Sequence, residues 1–294
     1  MFGHLREREE TEFNDSIKQQ VKTSCKLRSE LKHIEHVQTL VRQGDLLKLA
    51  ESEKGDAIWE SFIFDFKKGT MKFYLNSVTN TLPTGNNLLQ WGKRTSDKCK
   101  QCKSTETTCH VLNGCPVSLE QGRFTWRHDN IINYILGCLD ETKFDVFTDL
   151  AGSTTDNGGT IPVTICITTL RPDITVLDKK NKTFNIFELT CPLEPNIQKR
   201  HIEKTNKYSH FLTDITCLTP AVTCFEVGSR GYISPENQSR LKSIHAFCKP
   251  SIQLKKFKEN ISALSIYSSY AIFNSRKEAQ WTNPGYLNTP FMDK

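Results

Sequence analysis

The apolar positions change their period partway along the chain. Leu31, Ile34, Val37 and Val41 recur at three- and four-residue steps among Lys, Glu, His and Gln, which predicts helix over 15–50. Ile131, Ile132, Ile135 and Leu136 mark one face of a second helix over 122–136, and 72–78 reads as a short helix. Phe62, Phe64 and Phe66 alternate, as a strand or an extended loop would. Pro83, Gly85, Asn86 and Asn87 read as a loop, and the Gly, Ser, Thr and Asn of 149–162 as a flexible connector. Beyond Pro162 the period shortens to two. Val163, Ile165 and Ile167 alternate with Thr and Cys, and Ile174, Val176, Phe184, Ile186 and Phe187 continue the strand pattern. A further strand is predicted over 221–227, closed by Gly228 and Gly231. Helices are predicted over 195–212, 235–247 and 257–280. Strands followed by helices predict an α/β domain from about residue 150.

Composition narrows the classes. The chain has 294 residues with net charge +6, and no stretch of about 18 apolar residues that would span a membrane. The N-terminal MFGHLREREE has no apolar core of a secretory signal, so the 11 cysteines read as reduced thiols of a nuclear or cytoplasmic protein. Charge is uneven. Residues 1–98 hold 16 Lys/Arg against 14 Asp/Glu, 99–170 hold 5 against 8, and 171–294 hold 18 against 11. The basic excess lies in the C-terminal part, which points to a polyanionic partner there.

Two groups of residues carry candidate chemistry. The first is Cys99, Cys102, His110 and Cys115, in the spacing C-x2-C-x7-H-x4-C. Four thiolate or imidazole ligands would fill a tetrahedral Zn²⁺ shell and leave no position for a catalytic water, so the site reads as structural. Cys109, beside His110, is a competing ligand. The second lies in LRPDITVLDKKNKTFNIFELT, Leu170 to Thr190. Two strand-like runs flank a polar turn, and a hairpin symmetric about the Lys180–Asn181 bond sets Asp173 opposite Glu188. Opposed carboxylates repel, and a divalent cation such as Mg²⁺ would turn that repulsion into coordination. Such a metal suits phosphodiester hydrolysis, with a nearby Lys to stabilise developing charge. Two residues after Glu188, where a compact site would carry the Lys, stands Thr190. The following helix instead offers Lys199, Arg200, Lys204 and Lys207, of which the last three share one face.

The order of these features resembles the C-terminal region of site-specific non-LTR retrotransposon proteins of the restriction-like-endonuclease type. The resemblance covers roughly residues 60–235. It rests on LPTGNNLLQWGK (82–93), the Cys/His set, QGRFTWRHDNI (121–131), RPDI (171–174), ELTCP (188–192), EKTNKY (203–208) and FEVGSRGY (225–232).

The resemblance implies a small mixed sheet flanked by helices, a restriction-endonuclease-like core, preceded by a mainly helical region with a zinc knuckle. The corresponding segments are 1–95 (helical), 96–120 (knuckle) and 121–294 (nuclease). It makes Asp173 and Glu188 the Mg²⁺-binding carboxylates, and Lys204 or Lys207 the displaced catalytic lysine with Tyr208 as neighbour. It gives Arg127 and His128 to DNA engagement. Arg171 and Arg200 join them as candidate DNA contacts beside the core. The implied partner is DNA, with element RNA as a second, and the implied activity is nicking a target strand to prime reverse transcription. No Tyr/Phe-x-Asp-Asp polymerase signature is present. The sequence reads as the nuclease end of a longer machine, either active or a nucleic-acid-binding relic.

Overall fold

The computed structural model describes residues 2–40, 43–52, 63–150, 155, 158–209 and 211–287. In chain order, α1 (Phe2–Thr39), α2 (Asp45–Ser52), α3 (Lys68–Val78), α4 (Gly85–Gln90), α5 (Pro116–Glu120) and α6 (Arg123–Cys138) precede the sheet. Strands β1 (Asp145–Thr148), β2 (Ile174–Asp178) and β3 (Thr183–Thr190) follow. Then come α7 (Ile197–Ser209), β4 (Thr219–Glu226), α8 (Pro235–His245) and α9 (Leu254–Ser275). The fold of the described residues is α/β, with a mixed four-stranded sheet in the order β1-β2-β3-β4 and helices on its flanks. The first three strands are antiparallel, and β4 joins β3 in parallel. A parallel neighbour needs a crossover, and α7 supplies it.

Each face of the sheet has its own apolar core. Ile131, Ile132 and Ile135 of α6 pack with Ile174, Val176, Phe187 and Leu189, and Ile261 and Leu264 of α9 join them. On the other face Phe184 and Ile186 pack with Tyr208, Phe211 and Ile215. A third cluster joins Phe73 of α3, Leu112 and Leu193 to Ile266 and Phe273 of α9. The C-terminal helix therefore packs against residues from the N-terminal helical part, the Cys/His segment and the sheet domain.

The hairpin has the register that its symmetry predicts. Ile174 pairs with Phe187, Val176 with Asn185 and Asp178 with Thr183. The turn fixes it. Asp178 Oδ1 accepts a hydrogen bond from Asn181 N (3.0 Å), and Oδ2 from Asn181 Nδ2 (2.7 Å). Lys182 closes the turn at φ +54°, the left-handed conformation that such loops need.

Several local expectations are corrected. The helix over 15–50 is interrupted, since α1 ends at Thr39 and α2 begins at Asp45. Leu31 and Ile34 are exposed rather than buried, and Val41 lies outside the described residues. Gly85 to Asn87 open α4 rather than continue a loop, because Thr84 caps it by accepting from Asn87 N (3.4 Å). Val163, Ile165 and Ile167 form no strand. Ile165 N and Cys166 N both turn back to the Pro162 carbonyl, and Ile167 is 89% exposed. Alternation without a neighbour to pair with makes no ladder. Of the Phe triplet, Phe62 lies outside the described residues, while Phe64 is exposed and Phe66 buried around a 3-10 turn. β1 had no sequence signal strong enough to predict it.

Candidate functional site

The sharp turn at Asp173 and the buried end of β3 bring two carboxylates together. Glu188 Oε2 accepts a hydrogen bond from Asp173 N (3.2 Å), and Asp173 Oδ2 accepts from Leu189 N (2.7 Å). Glu188 therefore holds the backbone of Asp173, and Asp173 holds the residue after Glu188. The helix after β3 then delivers the cations. Lys204 Nζ donates to Glu188 Oε1, and Lys207 Nζ lies 3.6 Å from the same oxygen. Tyr208 OH donates to Glu188 Oε2 (2.8 Å). From the other side, His128 Nε2 on α6 sits 3.1 Å from Asp173 Oδ2, while its Nδ1 sits 3.0 Å from Asp129 Oδ1.

This corrects the electrostatic argument made from the sequence. The repulsion between Asp173 and Glu188 is offset by His128 and Lys204, without need of a divalent ion. Burial pushes the Asp173 carboxyl up, but the His128 ring, the Leu189 N–H and Lys204 outweigh it and hold it below the usual carboxylate range. Burial pushes His128 down, yet Asp173 and Asp129 hold it well above the usual histidine value. The Asp173 side chain is 16% exposed and that of Glu188 is 2%. Lys204 and Lys207 reach further toward solvent.

The remaining predicted residues divide. Arg127 does not face solvent. Its guanidinium is buried and donates to Leu112 O (2.9 Å), Ser269 Oγ (3.0 Å) and Cys191 O (2.9 Å). Its assignment to DNA contact is corrected: it clamps the Cys/His segment and α9 to the strand end that follows Glu188. Tyr208 is likewise fully buried and holds Glu188 rather than meeting DNA. Arg171 and Arg200 are half exposed, paired with Asp149 and Glu203. Tyr208 and His128 are both named from the sequence, but as DNA contacts; their contacts here are with Glu188 and Asp173. Tyr208 stands four residues after Lys204, a helical spacing that could have found its contact. The His128–Asp173 contact spans 45 positions and has no periodic signal.

The Cys/His set forms a second site. The ligand atoms of Cys99, Cys102, His110 and Cys115 all lie within 4.8 Å of one another. Cys102 Sγ is 3.3 Å from His110 Nε2 and 3.9 Å from Cys115 Sγ. A tetrahedron with Zn–S of about 2.3 Å has edges of about 3.8 Å, so this donor set fits zinc. Burial pushes His110 down despite Glu106, which favours the neutral imidazole that a metal accepts. Cys109 stands outside the cluster with an exposed side chain, so it is not a fifth ligand. Knuckle geometry comes from the turn Cys99-Lys-Gln-Cys102, where Lys103 N returns to Cys99 O (3.1 Å).

No family model matches the chain, and no curated protein matches it. Among the described residues no helix is long and apolar enough to cross a membrane.

Proposed function

We propose that the chain is a metal-dependent DNA endonuclease module of the restriction-like type found in non-LTR retrotransposons, carrying a structural zinc knuckle. One observation carries the reading. Asp173, Glu188 and Lys204 converge at one corner of a small mixed sheet, with Asp173 and the Lys204 amine reaching solvent. The mixed sheet with α6 and α7 on its flanks supports a restriction-endonuclease-like core. The donor set at this corner is carboxylate oxygen, which suits Mg²⁺. Asp173 and Glu188 would hold that ion, which when bound supplies an activated water and stabilises charge on the phosphoryl oxygens. Lys204 and Lys207 neutralise the phosphate from the helix side. His128 and Tyr208 hold the two carboxylates in place. DNA is the substrate, element RNA a second partner, and the nucleus the place of action.

The test is nicking of supercoiled plasmid with Mg²⁺. Wild type should convert it to open circle, and Asp173→Ala should not. Equal activity in the two proteins, or none in either, contradicts the reading.

A second reading has its own observation. Glu188 is closed on both oxygens by Lys204 and Tyr208, and Thr190 stands where a compact site carries its Lys. That arrangement favours a module that binds DNA without cutting it. Plasmid binding without nicking, unchanged by Asp173→Ala, would select it.

A further inference from the structure

A cleft of about 600 Å³ opens beside the carboxylate corner. One wall is α7, which presents Arg200, Glu203, Lys204 and Lys207; the floor is the strand end from Thr190 onward. The opposite wall is the loop between the last two zinc ligands, through Asn113 and Gly114. This loop is fastened to the floor. Asn113 Nδ2 donates to Cys191 O (2.7 Å), and Arg127 holds Leu112 O and Cys191 O together. Cys109, at the start of the loop, lines the rim.

We infer that the zinc knuckle forms the second wall of the groove that seats the phosphodiester backbone of the DNA strand beside the cut. Glu203 pairs with Arg200 at 2.6 Å, so Lys204 and Lys207 leave the α7 wall of the cleft net positive, and the facing wall confines a backbone to it. The zinc site then has a function beyond local stability, because it holds the loop from His110 to Cys115 at its ends. The inference rests on the nuclease reading for the identity of the strand. Its test does not depend on cleavage.

The test uses the full chain with zinc bound, in buffer without added Mg²⁺. A duplex oligonucleotide is titrated in, and iodoacetamide alkylation of cysteines is followed by mass spectrometry. Cys109 is exposed at the rim, while exposed Cys25 and Cys217 serve as controls. Saturating DNA should slow Cys109 alkylation by about tenfold and leave Cys25 unchanged. Charge insertion provides the second arm. A Cβ at Gly114 would meet only ordinary contact with the Cys109 carbonyl, so a side chain fits there. Gly114→Glu should abolish Cys109 protection and Gly114→Lys should keep it, both with one zinc per chain. Unprotected Cys109 at saturating DNA, or identical behaviour of the two variants, overturns the inference. Nicking is measured separately. A wild type that nicks while Cys109 stays reactive defeats the groove and leaves the nuclease standing; protection with nicking unaffected by Asp173→Ala defeats the nuclease alone.

Discussion

At the residue scale, the strongest couplings lie between side chains that compensate one another in the interior. Asp173 and His128 are such a pair, and their shifts set a pH window. His128 is raised above its unfolded value, so its contribution to stability is full below about pH 6.5 and fades as pH rises through the folded value. Asp173 is depressed, so its contribution is full above about pH 3.9 and fades as pH falls through its folded value. The pair therefore stabilises most between those limits. Urea unfolding of wild type and His128→Gln should show a larger deficit at pH 5.5 than at pH 9.5; a deficit that grows toward pH 9.5 would contradict the pairing. Arg127 gives a second prediction at this scale. Arg127→Ala leaves the Leu112 carbonyl without this donor and the Cys191 carbonyl with Asn113 alone, and should cost about 2–3 kcal/mol of stability. Because its guanidinium faces the interior, the salt dependence of DNA binding by the folded variant should match wild type. A slope reduced by about one would restore a phosphate contact.

At the element scale, the β2–β3 hairpin shows how much was legible in the sequence. Its two apolar runs and the polar turn between them fix a register, and Asp173 faces Glu188 as that register requires. The basic face of α7 was equally readable, since helical spacing needs only local information. Three things were not readable. β1 is four residues long, too short for periodicity. The apparent strand over 163–167 alternates correctly but finds no neighbour among the described residues. The buried ion pair between Glu194 and Arg230 (2.5 Å) joins positions 36 apart that nothing local connects. The turn itself carries a prediction. Lys182 holds φ +54°, which costs a side-chain-bearing residue and not glycine. Lys182→Gly should raise stability by roughly 0.5–1 kcal/mol, read as an upward shift in the urea midpoint; a downward shift would show that the Lys182 side chain matters more than its backbone.

At the scale of the whole molecule, α9 ties the parts together. Ser262, Ser265 and Ser269 follow one another at helical spacing and donate to the carbonyls of Gly231 (2.6 Å), Gly228 (2.7 Å) and Ser229 (2.5 Å). Arg230, in the same loop, reaches Glu194 and the Ser77 carbonyl (3.1 Å). Helical region, knuckle and sheet thus share one buried scaffold. Losing the metal should be felt beyond the knuckle. Purified protein should carry one zinc per chain by elemental analysis, and chelation should lower the melting temperature of the whole molecule in a single transition. Zinc well below one per chain, or a melt unchanged by chelation, would remove the structural role.

The account turns on Asp173 and Lys204 acting as one unit across Glu188. Plasmid nicking under single-turnover conditions with Mg²⁺, for Asp173→Ala, Lys204→Ala and the double variant, tests it most directly. Each single change should slow nicking by about 10²–10³-fold, and the double variant should be no slower than the worse single, because residues of one constellation do not contribute additively. Rates that multiply in the double variant, or a Lys204→Ala protein that nicks like wild type, would contradict the account.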